Sequence, residues 1–430
     1  MANTEFFKES LKENSAINWK DILSESFVKH TREDREYAMQ IGTSARLVPE
    51  SKMLQAWHRP WLWWSAMKYG LGLIGVLYGA YFLCTLVFRA TAQALVHMMM
   101  IIPPIVIPFV IMIFLWEMNV PQNISIMDLL AFFLAGGIIC FVICSVFFLP
   151  FPSGLSASYA ALREEPGKLG AAIAILLYLE RVQKKKIYGI TGLVVGAAVG
   201  AAFSGIESVS YAINSSSNTI GMIINQVMRG LFALGGHITY CVPYATAIAL
   251  NAKNGKLTSG SFINIMTLGA FAGSVALHAL WNGTNLLVQI ILVVVSAFIL
   301  LFWIKKALRE IVQICKSKQN RDHVNVGSET IMLRYQTPSQ PGAFWKSSSG
   351  EILIGRQSDK CALCLGNDVK GVSRVHCKIV RKGNQWYVQD MNSTCGTYIG
   401  SRKLAAYEMY PIHSGDRIFL GSKKVNLMVV

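Results

Sequence analysis

Between residues 67 and 305 the chain is little but apolar runs, at roughly 67–89, 92–116, 127–150, 167–180, 187–213, 220–250, 261–283 and 284–305. Most exceed the ~20 residues a helix needs to cross a ~30 Å hydrocarbon core. In lipid every backbone N–H and C=O must be satisfied inside its own segment, so runs of this length become helices. The expected fold class is a polytopic α-helical membrane protein of about eight transmembrane helices. The fourth run is short alone and spans only if its helix begins near Ser156, with Pro166 and Gly167 marking a kink or break. Composition agrees: 53% of the 430 residues are hydrophobic and 15% charged, against about 25% charged in a soluble domain.

The net charge of +16 arises from Lys and Arg gathered at the ends of the runs. That is a topology pattern rather than a nucleic-acid surface, and no nucleic acid is expected as a partner. Arg181, Lys184, Lys185 and Lys186 lie between runs four and five, Lys253 and Lys256 between six and seven, and Lys305, Lys306 and Arg309 after run eight. Segments 214–219 and 283–285 carry no basic residue. The expectation is a multi-pass protein of the cell membrane with both termini in the cytosol. Residues 1–60 are polar with no apolar core near Met1, so no secretory signal is expected.

Residues 1–66 read as a cytosolic N-terminal region with amphipathic stretches at Phe6–Leu11 and Trp19–Val28. It closes on Trp57, Arg59, Trp61, Trp63 and Trp64, the composition of an interfacial anchor. Residues 67–310 form the membrane domain, 311–328 a linker, and 329–430 a different kind of domain. There, alternating segments such as Ile331–Tyr335, Ile352–Ile354, His376–Val380 and Trp386–Val388 are separated by turns such as Lys382-Gly383-Asn384. Short strands with regular turn punctuation read as an all-β sandwich. The nine cysteines are read as reduced, and Cys361-x-x-Cys364 with Cys377 and Cys395 lies within that β pattern and is not read as a zinc site.

Ionisable side chains inside spans are costly and mark function. Arg163-Glu164-Glu165-Pro166-Gly167-Lys168 opens run four, Glu207 ends run five, Arg229 and His237 lie in run six, and His278 is late in run seven. On the expected topology these groups meet in the outer half of the membrane. Four-residue spacings place Phe203 with Glu207, and His278 with Asn282, on common helix sides. Gly192, Gly196 and Gly200 form a smooth strip for helix contact. Carboxylates and imidazoles gathered in this way activate a water and stabilise an oxyanion, with or without a metal. The same charges also suit a transporter's ion site.

The diglutamate with Lys168 is followed by Gly196-x-x-x-Gly200-x-x-Phe203-x-x-x-Glu207-x-x-x-Tyr211, then His237, then His278-Ala279-Leu280-Trp281-Asn282. This ordered set resembles the PrsW family of intramembrane proteases, in the larger group that includes the type II CAAX prenyl endopeptidases, over about residues 125–305. The resemblance implies an intramembrane endopeptidase that cuts membrane-anchored proteins near the outer face, such as anti-sigma factors. It implies Glu164 or Glu165 as the water-activating base and Asn282 as an orienting or oxyanion group. Glu207, His237 and His278 complete a zinc site or a hydrogen-bonded catalytic cluster, with Lys168 and Arg229 in support. No His-Glu-x-x-His spacing is present, so metallo- and glutamic-type mechanisms both stay open. The chain departs from the family at Ser208, where Asn is usual, and at Pro166-Gly167 directly after the diglutamate.

In the tail, Gly355-Arg356, Ser373-Arg374-Val375-His376, Asn392-Ser393-Thr394-Cys395-Gly396-Thr397-Tyr398 and Gly415-Asp416-Arg417-Ile418 resemble a forkhead-associated (FHA) domain, a reader of phosphothreonine peptides. A dianionic phosphate needs Arg plus hydroxyl and backbone donors on loops. Arg356, Ser373, Arg374 and Thr394 fit those roles, with His376 holding the loop scaffold. Cys395 replaces a usual Asn. The combined expectation is an intramembrane protease coupled to a cytosolic phosphothreonine reader. A non-catalytic scaffold that recruits phosphoproteins and a transporter are the alternatives. Tags at Met1 and Val430 are predicted to be accessible from the cytosol, and a tag within 214–219 only from outside. Termini on opposite sides would remove the eight-span arrangement.

Overall fold

The computed structural model describes residues 19–43, 48–89, 92–146, 156–215, 218–324, 330–338, 341–366, 369–383, 385–400 and 402–430. The expected stretch Phe6–Leu11 and the turn residue Asn384 lie outside these. Among the described residues the helical part runs α1 (Leu62–Phe82, prolonged by a π turn Leu83–Val87), α2 (Gln93–Glu117), α3 (Ile126–Val146) and α4 (Ser156–Arg181). It continues with α5 (Gly189–Asn214), α6 (Thr219–Leu231), α7 (His237–Leu250), α8 (Ile265–Gly283) and α9 (Leu286–Val324). Among the described residues six helices are long and apolar enough to cross a membrane: α1, α2, α3, α5, α8 with the short helix before it, and α9. The 26-residue α4 starts at Ser156, as its length requires, and carries the charged set Arg163, Glu164, Glu165 and Lys168.

Several expectations differ from the structure. Run six is not one span, because the chain breaks at Phe232–Gly236 between α6 and α7, which makes His237 the first residue of α7. Gly235 faces Trp281 so closely that a Cβ there would lie 2.6 Å from the indole ring. The break expected at Pro166-Gly167 is absent, and α4 is continuous through both. Proline removes one N–H from the ladder, but α3 clamps the helix there: a Cβ on Gly167 would fall 2.5 Å from Cys144 Sγ, and the Cys144 thiol donates to the Arg163 carbonyl. Finally, residues 311–324 of the expected linker continue α9 and bury Ile311 and Cys315 against the helical core.

At the centre of the helical part, α5 is buried from Gly189 to Gly205. Its glycine strip lets α7 approach at backbone distance. A Cβ on Gly192, Gly196 or Gly200 would lie 2.2, 2.9 and 2.6 Å from the carbonyl oxygens of Ala245, Cys241 and His237 respectively. This pairing runs antiparallel and sets the depth at which α7 begins. Trp57 and Trp61, expected to be interfacial, are instead packed inside, because the N-terminus of α1 is tied to the end of α2. Glu117 accepts the backbone N–H groups of Trp61, Leu62 and Trp63, and Trp57 Nε1 donates to the Glu117 carbonyl. A carboxylate on otherwise unpartnered helix N-terminal N–H groups is a favourable match to the dipole.

Residues 331–429 form two facing sheets with strand orders β2-β1-β11-β10-β7-β8 and β4-β3-β5-β6-β9. The strands are β1 (Ile331–Gln336), β2 (Pro341–Ser347), β3 (Glu351–Gly355), β4 (Leu363–Cys364), β5 (Cys377–Lys382) and β6 (Gln385–Asp390). The rest are β7 (Thr397–Ile399), β8 (Arg402–Lys403), β9 (Met409–Ile412), β10 (Arg417–Leu420) and β11 (Ser422–Val429). Their inward residues, among them Leu333, Ile354, Ile379, Val388, Ile418 and Leu427, make one buried core, the period-2 burial of a sandwich.

The N-terminal segment joins the two parts. Glu36 on the helix Arg32–Ala38 pairs with Lys424 at 2.9 Å, Tyr37 meets Phe419 edge-on, and Lys52 pairs with Asp416 at 3.2 Å. Gly415 admits this contact, since a Cβ there would lie 2.4 Å from Lys52 Cγ. Two residues before Lys52, Glu50 binds Lys186, Tyr188 and Lys318 of the helical core. Burial raises the Asp416 carboxyl, but His413 and Lys52 outweigh it and hold the group below its usual 3.8. A depressed carboxylate stabilises above its unfolded pKa and loses that contribution as pH falls through the folded one. Energy transfer between dyes on Arg32–Ala38 and β11 should therefore hold from pH 7 to about 4 and decline below that. In Asp416→Asn it should already be weaker at pH 7. Transfer indifferent to both would remove the docking.

Candidate functional site

The buried charges converge where α4, α5, α7 and α8 meet. Glu164 and Glu165 are consecutive on α4, and Lys168 follows at helical spacing so that its ammonium folds back over both. Lys168 Nζ lies 2.7 Å from Glu165 Oε1, 3.4 Å from Glu164 Oε2 and 2.8 Å from His237 Nδ1, and none of its surface is exposed. The ring of Phe203 on α5 sits beneath it, 4.1 Å from Nζ, an added cation–π contact. A buried ammonium with two carboxylates and an imidazole is compensated. Without partners its burial would be prohibitive.

The hydrogen bonds fix the imidazole tautomers. His237 Nδ1 accepts from Lys168, so Nε2 carries the hydrogen and donates to Glu207 Oε2 at 2.9 Å. His278 Nδ1 donates to Glu165 Oε1 at 2.8 Å, and its Nε2 faces Glu164 Oε2 at 3.8 Å. The Tyr240 ring stacks on His278 at 4.8 Å and 17°, and its hydroxyl is tied to the Gly235 carbonyl. Tyr244 donates to Glu165 Oε2 at 3.3 Å. Both Glu165 oxygens are thus engaged, whereas Glu164 has only the longer Lys168 contact and the facing His278 nitrogen. Glu165 is the more tightly held of the two carboxylates and Glu164 the less constrained.

At the far end, Arg229 in the last turn of α6 pairs with Glu207 and donates from Nε to Ser208 Oγ at 2.6 Å, with Tyr211 flat against its guanidinium. Ser208 therefore supplies an oxygen acceptor at the position where Asn was expected. Arg229, Glu207, His237, Lys168, Glu165 and His278 form one continuous chain of hydrogen bonds. Asn282 is exposed one turn beyond His278.

The ligand set expected for a metal was Glu207, His237 and His278. The structure instead places Glu164 with the two histidines: one donor atom from each lies within 4.8 Å of the others, and all three residues are buried. Glu207 is engaged by Arg229 and by His237 Nε2 and is not one of the three. Tetrahedral zinc with bonds of 2.0–2.2 Å separates its ligands by roughly 3.4 Å, close to the 3.8 Å between Glu164 and His278. The Nδ1 side of His278 is backed by Glu165, as the non-ligating nitrogen of a metal-binding histidine usually is. One carboxylate and two imidazoles fit a divalent metal, and ligation by His237 through Nδ1 requires Lys168 to give up that bond.

In the sandwich, the loops after β3, before β5 and before β7 carry Arg356, Ser373, Arg374 and Thr394. Ser373 Oγ accepts the Thr394 N–H at 3.1 Å and the Arg356 N–H bonds the Arg374 carbonyl at 3.1 Å, which unites the three loops. Arg356, Arg374 and Thr394 are exposed, and so is Cys395. His376 is buried and bridges the Ser373 N–H to the Gly396 carbonyl. Burial lowers its pKa, in keeping with a neutral ring that accepts at Nδ1. Cys361 and Cys364, not assigned a role from sequence, donate to the carbonyls of Arg374 and Arg356. All nine cysteines are free thiols.

A family model described as "PrsW family intramembrane metalloprotease" matches residues 110–305, and one described as "FHA domain" matches residues 352–421. The FHA domain-containing protein FhaB of Mycobacterium tuberculosis (strain ATCC 25618 / H37Rv) is 36% identical over 77 residues, covering 18% of this chain and 48% of FhaB. Probable E3 ubiquitin-protein ligase dma1 of Schizosaccharomyces pombe is 34% identical over 92 residues, 18% of this chain and 33% of dma1. The chain thus spans less than half the length of these relatives. The crystal structure of the FHA domain of CT664 protein from Chlamydia trachomatis is 21% identical over 24% of this chain and 96% of that one, with a TM-score of 0.21.

Lys168→Met would leave two facing carboxylates without their cation. It should cost about 3–5 kcal/mol, read as a lower unfolding temperature of the purified protein. Glu165→Gln with Lys168→Met should cost less than the sum of the singles. Additive losses would show that the pair is not coupled.

Proposed function

We propose that this chain, with a PrsW-family intramembrane protease domain at residues 110–305 and an FHA domain at 352–421, hydrolyses membrane-anchored proteins near the outer face of the membrane. The FHA domain recruits phosphothreonine proteins on the cytosolic side, where both termini lie. The observation that carries the reading is the buried arrangement of Glu164 and Glu165 with His237 and His278 around one ammonium. A transporter or scaffold has no need of one carboxylate immobilised by three donors beside another held by a single, longer ion pair.

Glu164 takes a proton from water as the water oxygen attacks the scissile carbonyl carbon, and delivers that proton to the departing amine nitrogen as the C–N bond breaks. Glu165 stays ionised and holds His278 in the tautomer whose Nε2 faces Glu164. Asn282, exposed beyond His278, faces the substrate carbonyl. Lys168 keeps the negative charge of the carboxylate pair tolerable when the site closes around substrate. Glu164, His237 and His278 would hold the family's metal, and a bound divalent ion would acidify the water and polarise the carbonyl.

In membranes from cells expressing a single-span reporter, Glu164→Gln, Glu165→Gln and His278→Ala should each lower cleavage at least about 100-fold while the protein remains inserted. Cleavage at the wild-type rate in both Gln variants would sink the protease assignment. Loss of reporter recruitment in Arg356→Ala with cleavage intact would separate the reader from the catalyst.

A further inference from the structure

A cavity of about 240 Å³ opens between the helix Arg32–Ala38 and the near ends of α1, α2 and α3, at the end of the helical part that faces the FHA domain. We propose that it binds one anionic phospholipid, with an acyl chain in the cavity and the phosphate at Arg35. Its walls are apolar or aromatic except at the rim. Leu62, Ala66 and Tyr69 line it from one side of α1, opposite Ile113 and Trp116 of α2. A water's share of the liquid is about 30 Å³ and a trapped water needs two to four polar partners. This space has room for several waters and almost no partners for them. The Trp116 indole N–H is already given to the Ile124 carbonyl, and the backbone N–H of Leu62 to Glu117. An apolar chain satisfies such a space where water does not, and beside membrane-spanning helices the apolar chains at hand are lipid.

The rim supplies the charge. Arg35 lines the opening and is exposed, and no carboxylate among the described residues pairs with it. Lys68 is likewise exposed and unpaired, and lies one turn along α1 from Ser65, so its chain reaches back toward the same rim. The neighbouring segment is built to lie in the membrane surface. Phe27 and Val28 are 68% and 56% exposed although apolar, and Phe27 packs on Trp64. Guanidinium and ammonium at the edge of an apolar slot in the aromatic belt match a phosphodiester headgroup above acyl chains.

The test is native mass spectrometry of the full chain released from nanodiscs of phosphatidylglycerol or of phosphatidylcholine. The wild type should keep one phosphatidylglycerol and no phosphatidylcholine, and added inorganic phosphate should not displace it. Arg35→Glu should lower retention by roughly five-fold or more, the factor supplied by one basic side chain near an anionic surface, and Arg35→Lys should restore most of it. Ala66→Trp, which fills the slot and leaves the charge, should also abolish retention. Arg35 is exposed on a surface helix, so its variants fold. Equal retention of both lipids, or retention untouched in Arg35→Glu and Ala66→Trp alike, overturns the proposal. So does displacement by inorganic phosphate.

Discussion

A lysine ammonium with no exposed surface sits between two glutamates and a histidine, and much of the helical part is arranged to make that tolerable. In a medium of low dielectric an ion separated from its partners is far costlier than in water, so Lys168 fixes the rotamers of Glu164, Glu165 and His237 together. The site is preorganised because its members cannot relax independently. Glu165 is saturated by Lys168, His278 and Tyr244, and the asymmetry with Glu164 follows from which carboxylate oxygen each donor reaches.

That arrangement depends in turn on how near α7 can come to α5. The glycines at 192, 196 and 200 take the α5 side chains out of the contact, and the backbone of α7 settles against α5 from Ala245 to His237. Because α7 begins at His237 instead of continuing from α6, the imidazole projects from a helix terminus and reaches Lys168 with one nitrogen and Glu207 with the other. The break leaves α6 as a separate amphipathic element whose Arg229 anchors Glu207. A continuous span six would have put His237 among ordinary helix-packing residues.

The N-terminal segment gives the sandwich a fixed place beside the helices. Lys52 engages Asp416, and two residues earlier Glu50 engages Lys186, Tyr188 and Lys318. Tyr188 immediately precedes α5, the helix that carries Glu207. The contacts that hold the sandwich are thus two residues from those that hold the base of α5. Charged pairs are suited to such a junction, because they specify one registration while adding little net stability.

Much was legible in the sequence. Apolar runs of membrane-spanning length admit only helices, period-2 segments with glycine turns admit a sandwich, and charged groups in spans had to lie close to partners. The spacings of Glu164, Glu165 and Lys168, of the three glycines, and of Ser373 with His376 located local faces correctly, because neighbours three or four apart on a helix or within a short loop meet whatever the rest does. What the sequence could not determine was which of several equivalent groups face one another across helices. Glu164 and Glu207 are both carboxylates in spans, and only the tertiary packing gives Glu207 to Arg229 and His237 and sets Glu164 near both histidines. Pro166 reads locally as a break, and only the close approach of α3 at Gly167 keeps α4 whole. Gly235-Gly236 sits inside an apolar run and reads as one more helix interior, yet Gly235 lies so close to Trp281 that no Cβ would fit, and the helix ends there. Local pattern follows from covalent geometry and solvent, whereas partner choice is decided by the sum of contacts over elements far apart in the chain.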